Sequence, residues 1–433
     1  MRIDWPTFGE MMKLMRAYVG DYSQTKLAEG MKMSRGSVSK WEANDPPCPP
    51  DMRMLVKHVT GLHYLPTCDE EVPEYEDALD DWYDLIYEGK WEEAKIFREK
   101  IVCIKAFPFL KSLNTTFELY DCRLLIGTGE LDKAKQIIDK HEKCLGELRD
   151  IQKYRYYYNH GIYNGMSGSI NEALGFFKDG LNLGLRISDS DISINYNIAF
   201  CYVSRGAISC ATDFLEDVYE TLPKGRNDIS LFWLYNLHGN NLTTLGFLKK
   251  AEKVNDKSYE FALEIYTKNE SEESKLILGS VHISYGRMYR RAKKHRKANE
   301  YFDKAIHLIS KDQKNHLESI YQKGRCLVEI KDMALIPMLV SEGLNLSKNN
   351  KVYTLAFKAL ECFSNLNEEN AEYIEEKILP YLLETNSFHL IIDYATVLSD
   401  FYKTRGQGYI TKSYRMSELA LSIHKKFLER GII

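Results

Sequence analysis

From Phe8 onward, apolar residues recur three and four positions apart (Phe8, Met11, Met12, Met15, Val19), the spacing that lines one face of a helix. Thr7-Phe8-Gly9-Glu10 has the form of a capping box at its start, and Gly20 stops it. Ser23 is placed to cap a second helix, Gln24 to Met31, with Leu27, Ala28 and Met31 on its apolar face. Lys32-Met33-Ser34 reads as a short turn, after which Ser34 caps a third helix running to about Ala43. The prolines from Pro46 to Pro50 break the chain, and Met52, Leu55, Val56 and Val59 form the inner face of a further helix that ends at Gly61. Seven of the eleven prolines lie at or before Pro73, leaving only Pro108, Pro223, Pro337 and Pro380 for the rest. Proline interrupts helix interiors, so the remainder is expected to be long helices joined by tight connections.

Two short helices joined by a three-residue turn, after a longer first helix, are the layout of a helix-turn-helix domain. The run Ser23 to Glu42 resembles the phage-repressor (Xre/Cro) pattern S-Q-x-x-L-A-x-x-(apolar)-x-(apolar)-S-x-x-x-(Ile/Val)-S-x-W-E, with every fixed place filled. Leu27, Ala28, Val38 and Trp41 are the expected buried contacts, and Glu42 is expected to tie back to a base in the head. Gly30, near the end of the second helix, departs from good helix propensity. The outer side of the third helix carries Arg35, Ser37, Ser39 and Lys40, side chains able to reach base edges or phosphates. The resemblance implies that Gln24 and Ser34 touch backbone phosphate. Modules of this size usually reach specific sites as dimers on two half-sites, so a homodimer is expected.

Beyond the head a motif repeats, Gly-x-(Leu/Trp/Ile/Phe)-x-x-Ala, at Gly89–Ala94, Gly129–Ala134, Gly168–Ala173, Gly206–Ala211 and Gly246–Ala251. Its alanines stand 40, 39, 38 and 40 residues apart, and Ala298 continues the series after 47. Gly161, Ala173 and Phe177 form one set, and Gly286, Ala298, Phe302 and Ala305 another, that resemble the helical hairpin of the tetratricopeptide repeat. Pro223 stands where such a unit would end, degenerate units are expected near 317–349 and 352–384 around Gly324 and Ala371, and Phe388 to Leu428 reads as a terminal helix pair. The fold class expected is therefore all-α: an N-terminal helix-turn-helix domain (1–66), an acidic linker (67–78), and a right-handed α-solenoid of tetratricopeptide-like helical hairpins (79–433) ending in capping helices. Such a superhelix turns the first helix of each hairpin toward a concave face. Counted from the repeat alanines, Asn159, Asn197, Asn236, Asn240, Arg287, Tyr321 and Arg325 fall on that face. An asparagine amide offers donor and acceptor together, as a peptide backbone requires, and an arginine can clamp a carboxylate.

Charge divides the chain in the same place. Residues 1–60 hold nine Lys/Arg against seven acids, a balance of +2, which leaves −6 for the remainder of a chain whose net charge is −4. A mildly basic head on an acidic body suits nucleic acid at the head. Residues 69–88 hold ten acids and no base, which reads as a solvated linker entering a helix. The nine cysteines are scattered, with no C-x-x-C, so buried reduced thiols are expected rather than a zinc site or disulfide frame. No secretion signal or long apolar run is present, which points to a cytoplasmic protein that does not enter membranes. No H-E-x-x-H, phosphate loop or G-x-S-x-G occurs, so neither enzymatic chemistry nor a cofactor is expected.

A repressor-type head followed by tetratricopeptide-like repeats over nearly the whole remaining chain resembles the RRNPP family of Gram-positive quorum-sensing receptors. The resemblance implies a homodimeric transcription regulator that binds a double-stranded DNA operator and whose repeats take up a short signalling peptide. Two other roles fit the same architecture: a repeat protein that sequesters a partner such as a response regulator, and an interaction scaffold that does not bind DNA.

Overall fold

The computed structural model describes residues 3–20, 22–187, 192–221 and 229–428, all helix and connection, with no strand among them. Pro223 lies outside the described residues. The chain divides into two compact units, Met1–Ser190 and Asp191–Ile433.

In the first unit four head helices, α1 (Phe8–Val19), α2 (Gln24–Gly30), α3 (Arg35–Glu42) and α4 (Pro50–Thr60), lead into three hairpins. These are α5 (Val72–Tyr87) with α6 (Trp91–Ile101), α7 (Lys111–Gly127) with α8 (Leu131–Glu142), and α9 (Asp150–Met166) with α10 (Ile170–Ile187). The caps fall where the sequence puts them: Thr7 and Glu10 close the box on α1, and the Ser23 and Ser34 hydroxyls accept from the amides of Lys26 and Ser37. Segment 67–78, expected as an acidic linker, is folded. A 3-10 turn spans Asp69–Glu71, α5 begins at Val72, and Thr67 donates to Glu71 through both its amide (2.7 Å) and its hydroxyl (2.8 Å). The acids of 69–88 alternate with Tyr75, Ala78, Leu79, Trp82, Tyr83 and Ile86, whose helical spacing buries them in the core that also holds Met11, Met12, Trp41 and Leu65. Head and first hairpins thus share one core.

The second unit continues with α11 (Ile192–Ser204) and α12 (Ile208–Thr221), α13 (Ile229–Leu245) and α14 (Leu248–Lys268), α15 (Glu272–Arg291) and α16 (His295–Leu308), and α17 (Lys314–Glu329) and α18 (Ile336–Leu346). Then α19 (Lys351–Ser364) pairs with α20 (Glu368–Tyr373) and α21 (Leu379–Glu384), which a π turn joins, and α22 (Phe388–Thr404) with α23 (Ile410–Leu428) ends the unit. First helices pack on first helices, α11 on α13, α13 on α15, α15 on α17 and α17 on α19, so one layer lines the unit.

Small residues make these hairpins close. Ala94, Ala134, Ala173, Ala211, Ala251 and Ala298 are all completely buried. A side chain at Gly161 would collide with the Phe177 ring, and one at Gly286 with the Phe302 ring, so in each pair the aromatic of the second helix rests on bare backbone of the first. The motif glycines act differently, reversing the chain between helices with φ between 74° and 86°. In the sixth hairpin the same place is held by Lys293, at φ 59°.

That contrast yields a paired expectation. Gly129→Ala should lower stability by about 1–2 kcal/mol, since a Cβ is disfavoured in the left-handed region. Lys293→Gly should change it by less than about 1 kcal/mol in the stabilising direction, relief of strain being partly offset by a freer unfolded chain. Urea midpoints of the two variants check both signs.

Candidate functional site

In the head, α1 must approach α3 closely, because a side chain at Gly9 would meet the carbonyl oxygens of Trp41 and Glu42. Gly30 has a similar reason: any Cβ there would run into Val59 of α4, so the weak helix former is required by packing. Leu27, Ala28, Val38 and Trp41 are buried as expected. The base that ties Glu42 is Arg16, whose Nε and Nη2 donate to the two carboxylate oxygens at 2.6 and 3.0 Å while Nη1 reaches the Tyr22 carbonyl at 2.8 Å. Gln24 Nε2 also donates to Glu42, at 2.8 Å, so this amide locks α2 to α3 instead of standing free for phosphate. Ser34 Oγ caps α3 and lies 2.9 Å from Ser37 Oγ. Arg35, Ser39 and Lys40 are exposed, and Ser37 is half-buried beside its cap. The α3 surface thus offers two cations and a hydroxyl on a helix held from behind by a half-buried bidentate ion pair.

The expected peptide-facing residues separate by unit. Asn159, in the first, is buried on α9 and donates to the Leu119 carbonyl at 2.7 Å, a bond that ties α9 to α7. The remaining six lie in the second unit. Asn197 on α11 is half-buried. On α13, Asn236 Oδ1 accepts from Ser284 Oγ of α15 at 2.6 Å, and Asn240 Nδ2 donates to the same hydroxyl at 3.0 Å and to the Asn236 carbonyl at 2.8 Å. Asn240 Oδ1 is a buried acceptor without a hydrogen-bond partner among the described residues.

A network of charges continues across the first helices. Arg287 on α15 donates to Glu318 on α17, which also accepts from Gln322 at 2.8 Å and from the Tyr353 hydroxyl of α19 at 2.6 Å. Arg290, one turn on, reaches Gln322 at 2.8 Å, Glu329 at 2.8 Å and, across to α22, Asp393 at 2.8 Å. Tyr321 donates to the Tyr394 hydroxyl at 3.0 Å, and Arg325 lies over the Phe363 ring at 4.7 Å. Tyr321 and Arg325 are therefore fully buried supports between α17, α19 and α22, with no surface to offer a peptide. The α22 partners carry no mark in the repeat pattern, which is why sequence register alone does not find Asp393 and Tyr394.

Burial raises the proton affinity of Glu318, but the Arg287 guanidinium together with the Tyr353 and Gln322 donors outweighs it and holds the carboxyl at about 2. Asp393 behaves likewise: burial pushes it up, and Arg290 and Arg325 bring it down to about 2.

No protein-family model and no curated protein matches the chain significantly. Solved structures do match. The apo form of the quorum sensor NprR from B. thuringiensis superposes with a TM-score of 0.61 at 15% identity, covering 81% of this chain and 99% of that one. A Rap protein complexed with competence and sporulation factor gives 0.66 at 13% identity, covering 82% and 99%. NprR in complex with its cognate peptide NprX gives 0.58 at 16% identity, covering 80% and 98%. Likeness at these identities establishes the fold, the all-α helical-hairpin solenoid of the RRNPP-type quorum sensors.

The lowered carboxyls set an acid limit. A group with a depressed folded-state pKa contributes stability above its unfolded value, near 4, and loses it as pH falls toward 2. The urea midpoint should accordingly fall between pH 5 and pH 3 by an amount worth on the order of 2 kcal/mol. Asp393→Asn should be less stable than the parent at pH 6 and show a shallower acid loss; equal slopes would mean that Asp393 contributes nothing to it.

Proposed function

We propose that the chain is a peptide-responsive, sequence-specific DNA-binding transcription regulator of the quorum-sensing type, acting as a cytoplasmic homodimer without enzymatic activity. The observation that carries this reading is the α3 surface: Arg35, Ser39 and Lys40 stand exposed on the second helix of a helix-turn-helix arrangement whose back is locked by Arg16, Glu42 and Gln24. An arginine on such a helix can pair bidentately with guanine, and a lysine can reach guanine or phosphate. Ser34 and Ser37 would add hydroxyl contacts to the backbone at the start of α3.

For the peptide, the supporting features are the inner layer of the second unit and the peptide complexes of two proteins of the same fold, NprR with NprX and Rap with competence and sporulation factor. Asn240, with its unpartnered buried acceptor, is the best placed of the asparagines, beside Asn236 on the same helix and Asn197 on α11. Arg287, whose side chain is 32% exposed, is the cation able to meet a peptide carboxylate. The peptide would alter DNA affinity only as far as it binds two arrangements of the chain unequally, and DNA would alter peptide affinity by the same factor.

A gel shift on DNA upstream of the protein's own gene should give a specific complex, weakened at least about tenfold in Arg35→Ala/Lys40→Ala, each lost base contact being worth roughly 1–3 kcal/mol. Absence of any specific complex would sink the DNA reading and favour capture of a partner protein. Calorimetry with short peptides encoded beside the gene should show binding that Asn240→Ala weakens by about tenfold, one hydrogen bond's worth. Unchanged affinity in both Asn197→Ala and Asn240→Ala would place the peptide elsewhere.

A further inference from the structure

In the first unit, α6 and α8 both pack on α7, and between them lies an open cleft of about 680 Å³. Its floor and walls are apolar: Leu124 and Leu125 come from α7, Ile96 from α6 and Ile137 from α8. Ile96 is 66% exposed, an unusual state for an isoleucine that sits beside other apolar groups. Around this floor the lining charge is basic. Arg98 and Asp121 satisfy each other, with Nη2 to Oδ2 at 3.0 Å, which leaves Lys95, Lys105, Lys133 and Lys140 against Glu99 and Glu130. Residues 91–142, which form the cleft, hold nine Lys/Arg and nine Asp/Glu, so the basic rim is a concentration of cations on one face of a stretch that is neutral overall.

Two of these lysines are free to change partners. Lys95, Lys133 and Lys140 make short contacts to Glu92, Glu130 and Glu118, but their side chains are 45%, 69% and 61% exposed. The Lys95–Glu92 and Lys133–Glu130 pairs, exposed on both sides, hold by only about 0–1 kcal/mol, so a partner's carboxylates can replace them at little cost, whereas Lys140 is held by the largely buried Glu118. An apolar trough flanked by two helical ridges, floored by a third helix and rimmed by cations, complements one kind of surface in particular. A helix with an apolar stripe and acidic flanks would fill it.

We propose that this cleft docks an acidic amphipathic helix of a partner protein, with Ile96, Leu125 and Ile137 receiving its apolar side chains and Lys95, Lys105 and Lys133 its carboxylates. The site is separate from the α3 surface and from the inner layer of the second unit, so it stands or falls independently of the function proposed above. Nucleic acid is the rival occupant that the lysines alone would suit. The apolar floor argues against it, since a phosphate backbone gains nothing from Ile96.

The test uses the full chain and a fluorescein-labelled synthetic peptide with leucines at i, i+3, i+4 and i+7 and glutamates on the opposite face. Its control has the same composition scrambled to remove the stripe. Saturable anisotropy is expected with the striped peptide, at least about tenfold tighter than with the control. Ile96→Asp should weaken it about tenfold, and Lys105→Glu/Lys133→Glu by a similar factor, with circular dichroism unchanged because all three side chains are exposed. Affinity in the parent should also fall on raising salt from about 50 to 300 mM. No saturable binding, or equal binding by the parent and Ile96→Asp, overturns the proposal. So does a random-sequence DNA duplex that competes the peptide away and whose own binding is lost in the lysine variant yet kept in Ile96→Asp, because that pattern assigns the rim to nucleic acid.

Discussion

Everything in the body of this protein rests on how closely two helices can approach when one of them presents no side chain. Phe177 lies against Gly161 and Phe302 against Gly286, while the alanines four positions before each ring are completely buried. A methyl at either glycine would collide with a ring, and a larger side chain at either alanine would force the hairpin apart. The hairpin angle is therefore fixed by steric exclusion, not by attraction. Repeating the same exclusion stacks the first helices into one layer, and that layer decides which side chains meet. Later in the chain glycines do the same between successive hairpins, where Gly324 of α17 takes Leu360 and Gly343 of α18 takes Phe357, both from α19.

The charged network on the inner layer follows from that stacking and serves a different end. Paired buried charges seldom add net stability, because desolvation cancels most of their attraction, whereas breaking one partner leaves a buried charge uncompensated. The chain Arg287–Glu318–Tyr353 and the fan of Arg290 onto Gln322, Glu329 and Asp393 thus select one register of α15, α17, α19 and α22 by penalising the others. A ligand carboxylate entering this layer would compete for guanidinium groups already engaged. A carboxylate at Arg287 would contend with Glu318, which also holds the Tyr353 hydroxyl of α19.

The parts of this molecule legible in its sequence are those where the residue type is dictated by an immediate neighbour. Ser23, Ser34 and Thr7 mark helix starts because only short oxygen-bearing side chains satisfy the free amides, and Trp41, Val38 and the repeat alanines are readable because their spacing is that of the face they bury. Counting charges misleads over 69–88, where ten acids conceal the helical spacing of Tyr75, Leu79, Trp82 and Ile86. On the inner layer, register says which way Tyr321 and Arg325 point but not what covers them. The cover is α22, whose Asp393 lies 103 residues from Arg290 and whose position depends on every hairpin between. Gln24 escapes for a related reason, since the side chain that claims it, Glu42, becomes its neighbour only once α2 and α3 have closed.

The head is not a bead on a flexible string. Trp5 donates to Asp69 at 2.8 Å and stacks edge-on against Phe109, Tyr18 lies 6.2 Å from Phe107, and Tyr64 lies 5.9 Å from Phe97, so side chains from before, within and after the head helices all rest on α6 or on the segment before α7. Lys57, itself buried, adds an ion pair to Glu71 at 3.3 Å. A head fastened by a shared core cannot swivel on its own without parting Tyr18 from the buried Phe107 and Tyr64 from Phe97. The helices from α1 to α7 therefore form one packed block around that core.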